Sequence, residues 1–189
     1  MPTWPEIARS VDAAWRLARG DAGAVERLDL SVDGFWKSFA AALVVAPAYV
    51  LVLLDQYRLA GWPDEPWMTG FVEATGYVIG WLAFPLAAIP LTRLLGVSGR
   101  FVPLIVANNW STVIQVALYT AVVILGLVMP ASMRTTALLT ATLTILVYQW
   151  FVIRSALATT GGIAAGLVVI DLLLSVTVSR VLDGLLLSG

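Results

Sequence analysis

Five long apolar stretches, at about 35–54, 71–92, 103–129, 135–153 and 161–179, constrain this chain more than any other feature it carries. Each holds about 20 residues or more, and ~20 helical residues rising 1.5 Å apiece cross the ~30 Å hydrocarbon core of a bilayer. With 189 residues, of which 60% are hydrophobic, and a mean hydropathy of +0.90, little is left over for a soluble domain. The expected fold is all-α: a polytopic integral membrane protein with a five-helix transmembrane bundle. Its parts are a cytoplasmic amphipathic segment at 1–34 and a five-span domain at 35–189.

Composition removes whole classes of chemistry. A formal net charge of −1 gives no reason to expect nucleic acid as a partner. Cysteine and histidine are both absent, so thiol nucleophiles, His-based triads and the common zinc and copper ligand sets are missing. No GxSxG elbow, P-loop or HExxH occurs, and no second intramembrane aspartate stands beside Asp171. Ser111 has no histidine or lysine base. The chain is therefore read as no enzyme, with no catalytic residue, metal ligand or cofactor assigned. The acids and bases mixed through the first 34 residues do not read as a secretory signal, so the first span is expected to act as an uncleaved anchor.

Residues 4–19 carry a helical pattern. Trp4, Ile7, Ala8, Val11, Ala14, Trp15 and Ala18 share one face, while Glu6, Arg9, Asp12, Arg16 and Arg19 take the other. Pro5 suits a first turn, and two Trp rings suit the headgroup level, so the preferred reading is a helix lying on the membrane surface. Gly20 and Gly23 end it. Orientation follows from the basic residues: Arg9, Arg16, Arg19, Arg27, Lys37, Arg93, Arg100 and Arg154 fall on one side, against Arg58, Arg134 and Arg180 on the other. The positive-inside rule then predicts a cytoplasmic N-terminus and an exterior C-terminus. The short connection 129–134 makes spans three and four an antiparallel hairpin.

Polar side chains inside the apolar stretches are the candidate functional residues. Asp171, in GLVVIDLLLSV, lies well inside span five, where an aspartate costs roughly 2.5–3.5 kcal/mol to insert and should face protein or water. It reads either as a proton or cation relay or as a carboxyl joining two helices. In span three, ANNWSTVIQVALY sets Asn108, Ser111, Gln115 and Tyr119 on one face, with Thr112 flanking and Asn109 on the adjoining face. Gln115 matches Asp171 in depth if both helices start near one plane, so a Gln–Asp bond across the bundle is geometrically plausible. Span four adds Thr136, Thr140, Thr144 and Tyr148 at i+4 steps, with Gln149 beside the last; helix-contact surface is the preferred reading and a water-lined path the alternative. Gly76 and Gly80 in span two, and Gly162 and Gly166 in span five, have the GxxxG spacing that lets helices approach closely. Glu73 and Arg180, near the outer ends of spans two and five, can pair or reach separately for the interface. Pro47, Pro85 and Pro90 within or near span ends can kink their helices.

The segments VDGFWKSFAAALVVAP at 32–47 and VANNWSTVIQ at 106–115, on a five-span layout, resemble small bacterial members of the YIP-domain superfamily. The resemblance implies a five-helix domain in a bacterial inner membrane without an established activity, from a family whose members are often suspected of membrane organisation or transport. The DLYGP-type pattern of the trafficking members is missing, so binding of small GTPases does not carry over. Two functions are expected from different classes. The preferred one is a non-catalytic scaffold or complex subunit, whose partners are the lipid bilayer and other membrane proteins or a second copy of the chain. The alternative is a small transporter or channel subunit with a polar path around Asp171.

Overall fold

The computed structural model describes residues 1–187, and no strand occurs among them. Helix α1 (Trp4–Ala18) starts where Glu6 folds back on the preceding turn: its Oε2 accepts from the Thr3 backbone N–H at 2.6 Å and from the Thr3 hydroxyl at 2.8 Å. Gly20, at φ +87°, ends it in a conformation that L side chains avoid, and a 3-10 turn (Ala22–Arg27) leads to α2 (Val32–Ser38). Ser31 caps α2 by accepting from the Gly34 N–H at 3.0 Å, and a Cβ at Gly34 would collide with the Asp29 backbone. The bundle consists of α3 (Ala40–Ala60), α4 (Pro66–Leu94), α5 (Phe101–Leu125), α6 (Ala131–Leu157) and α7 (Gly161–Leu187).

Five helical segments are long and apolar enough to cross a membrane: Val32–Ala60, Pro66–Leu94, Ser98–Leu125, Ala131–Leu157 and Gly161–Leu182. They outrun the apolar stretches of the sequence because hydropathy fades at an interface before hydrogen bonding does. The third is the exception: α5 stops at Leu125 and residues 126–130 turn the chain, so the apolar run to 129 overstated that helix. Pro47, Pro85 and Pro90 all sit inside continuous helices.

Around the bundle, α3 packs on α5, α5 on α6, α6 on α7, and α7 on α4. The hairpin of α5 and α6 is its best-packed pair. Tight packing gathers at the end where α1 sits. One cluster joins Ala14, Leu17, Val25 and Leu28 to Ala41, Val106, Trp110 and Val152. A second joins Phe84 and Ala88 to Leu104, Ile105, Ile153, Leu157 and Leu167. The outer surface of the bundle is a belt of exposed apolar side chains, including Leu43, Val50, Leu86, Leu139, Leu143 and Leu173, as a lipid-facing surface requires.

The structure corrects the expected face of α1. Ile7, Val11, Ala13, Ala14 and Leu17 pack onto α5, α6 and the 3-10 turn, while Trp4, Ala8, Trp15 and Ala18 face outward. The small Ala13 and Ala14 let the helix lie close on its neighbours, which the Trp rings would prevent. Tyr148 fixes the seat by donating to the Ala14 carbonyl at 2.7 Å, and Lys37 Nζ bridges α2 to Glu6 at 2.9 Å. The helix is thus docked on its own bundle rather than free on a surface.

Candidate functional site

Away from α1 the helices separate around a cavity of about 710 Å³ to which all five contribute. Helical spacing explains the lining. Asp171, Ser175 and Ser179 follow one another at i+4 on α7; Glu73, Tyr77 and Trp81 do so on α4; Asn108, Thr112 and Gln115 share a face of α5; and Tyr49, Leu53 and Gln56 share one of α3. Gln149 enters from α6.

Asp171 accepts a short hydrogen bond from Gln149 Nε2, joining α6 to α7. The bond to Gln115 expected from matching depth is not made. Gln115 lines the same cavity but donates to Ser111 Oγ, at 3.3 Å, on its own helix. Depth could be read from sequence, but the neighbours of α7 could not: they are α4 and α6, not α5. Ser111 is fully buried and donates to the Asn108 carbonyl. Asn109, 2% exposed, donates to Ser38 Oγ at 2.9 Å, and Ser38 donates to the Phe35 carbonyl, so this pair ties α5 to α2. The Oδ1 of Asn108 is buried at the cavity wall with no hydrogen-bond partner.

Glu73 faces α3 rather than Arg180. Its two carboxyl oxygens accept from the hydroxyls of Tyr49, at 3.0 Å, and Tyr57, at 2.8 Å. Tyr77 stacks obliquely on Tyr49 with ring centroids 4.7 Å apart and donates to the Ala42 carbonyl at 2.6 Å. These tyrosine and glutamate contacts join α3 to α4, whose backbones do not pack closely along their length. On this side the cavity wall is made of side chains.

Other expected residues fall elsewhere. Thr136, Thr140 and Thr144 are exposed on the outside of α6, each donating to the carbonyl four residues back. They form neither a helix contact nor a water path, because self-satisfied hydroxyls are compatible with an apolar surround. Of the glycines, only Gly76 marks a close crossing: a Cβ there would run into Leu182 of α7. Gly80 lines the cavity, and a Cβ at Gly80, Gly162 or Gly166 would meet nothing within 4 Å. Close approach at the start of α7 belongs to Gly161, which lies under the Trp150 ring and accepts from its indole N–H at 2.9 Å. One feature escaped sequence reasoning entirely: Asp55, 9% exposed near the end of α3, pairs with Arg134 at the start of α6 and with Arg58. Their common side of the bundle was legible, but their contact across 79 residues was not.

Among the described residues no three His, Cys, Asp or Glu side chains come together as metal ligands. No family, curated protein or solved structure matches this chain.

Proposed function

We propose that this chain is a small integral membrane protein that binds a solute between its helices and passes it across or out of the bilayer, as a transporter or channel subunit. The observation carrying this reading is the convergence of polar side chains from all five helices on one cavity. Helices that only hold one another would bury such groups against each other; polar groups set around a space of this size suit a ligand or water. Eight of the eleven basic residues belong to the α1 end, which supports a cytoplasmic location for that end. A bacterial inner membrane is the setting we favour, on the resemblance in layout alone. The scaffold reading keeps one specific support, the exposed Trp4 and Trp15 on α1, 83% and 53% accessible.

The chain has no native cysteine, so a single introduced thiol reports its own surroundings. Ser175→Cys and Gln115→Cys in reconstituted vesicles should react with a small charged thiol reagent, while Thr140→Cys on the outer face should not. Cavity thiols as inert as the lipid-facing one would sink the reading.

A further inference from the structure

The cavity's chemistry is one-sided. Two carboxyl groups, Glu73 on α4 and Asp171 on α7, line it, and no Lys or Arg occurs among its described lining residues. Glu73 receives a tyrosine hydrogen bond at each oxygen. Aromatic side chains share the lining: Tyr49, Tyr77 and Trp81, with Tyr77 and Trp81 centroids 6.2 Å apart. An anion here would meet carboxylates without a compensating cation. A cation would meet carboxylates, ring faces that attract positive charge, and apolar wall from Val45, Leu53 and Phe84.

We infer that the cavity takes an organic cation, a protonated amine or onium group carried on an apolar body. This rests on the solute-binding reading above and names the substrate class. The space is within the roughly 300–1,000 Å³ range that holds a drug-sized molecule.

Tetraphenylphosphonium and tetraphenylborate have nearly the same shape and opposite charge. Their binding to the full chain in nanodiscs of zwitterionic lipid is measured as the excess over empty nanodiscs. The expected result is saturable binding of the phosphonium, one per chain, and none of the borate. Glu73→Gln and Asp171→Asn should each weaken it by about tenfold or more, since each takes a carboxyl group out of the cavity wall. Gly80→Leu, where a side chain meets no neighbouring atom at its Cβ, should intrude on the cavity and weaken binding while the helical content stays unchanged. This variant keeps the test alive if a carboxamide variant misfolds. Borate binding as tight as phosphonium binding, or full affinity in both folded carboxamide variants, overturns the cationic assignment. The cysteine reactivity of the cavity would still uphold solute access in that case, so the two failures are distinguishable.

Discussion

Asp171 distinguishes a cavity group from a structural one, and the size of its coupling to Gln149 decides between them. Its side chain makes one hydrogen bond, to Gln149. Apart from the Trp150–Gly161 hydrogen bond at the start of α7, the rest of the α6–α7 contact is apolar, built from Ile153, Leu157, Ala164, Leu167 and Val168. Hydrogen bonds between membrane helices average ~0.6 kcal/mol and reach about 1.7 at most, because the freed groups find other partners. A double-mutant cycle of Asp171→Leu and Gln149→Leu should therefore give a coupling of ~0.6 and no more than about 1.7 kcal/mol. By contrast Leu167→Ala, at a site 2% exposed, should cost about 2–5 kcal/mol. Reversible unfolding in mixed micelles, followed by helical circular dichroism, supplies each corner of the cycle. A coupling of about 3 kcal/mol or more, the scale of a broken buried ion pair, would refute the reasoning. The pair would then be a structural fastening, and the case for a binding cavity would lose its central residue.

Gly76→Leu should destabilise the α4–α7 contact by about 1–3 kcal/mol through overpacking against Leu182. Gly166→Ala, with open space at its Cβ, should leave the midpoint of the same unfolding transition unchanged or raised. The seat of α1 should respond to acid. The Thr3 backbone N–H, then Lys37 and the Thr3 hydroxyl, hold Glu6 down to about 2 from its ordinary 4.5, so its contribution is complete above the ordinary value and is lost as pH falls from there towards 2. A fluorophore on Ala18→Cys should keep its anisotropy down to about pH 4.5 and lose it towards pH 2; release of the helix already at pH 6 would contradict this.

The five long apolar helices and the α5–α6 hairpin were legible because run length and loop length are one-dimensional quantities. The amphipathic helix was legible too, but its docked face was not. Both halves of its apolar sector look alike by periodicity, and the choice between them turned on the small size of Ala13 and Ala14. Similarly, Asp171 stood out by its cost in hydrocarbon, whereas its partner depended on which helix lies beside α7. Ser175 and Ser179, one and two helical steps beyond Asp171, could have been found by extending its face along the helix. Glu73 was noticed, but an outer-end position suggested Arg180 rather than the tyrosines of α3. The threonines of α6 misled because a hydroxyl bonded within its own helix needs no partner, so their spacing carried no information about what they face.

One wall of the cavity differs in kind from the others. Between α3 and α4 it consists of Tyr49, Glu73 and Tyr77, with Tyr57 bonded to Glu73, while α3 meets α5, and α4 meets α7, by helix packing. Such a wall rests on side-chain contacts and a few phenolic hydrogen bonds rather than on helix packing. Collective helix motions occupy microseconds to milliseconds, so the α3–α4 seam is where exchange with the surroundings would be fastest. The exposed side chains of α3 and α4 include Leu43, Val50 and Val78, so in a chain inserted in a bilayer the reservoir beside these helices would be hydrocarbon. For a molecule using this route, concentration within the lipid rather than in water would set occupancy, and its partition coefficient would enter directly into any apparent affinity.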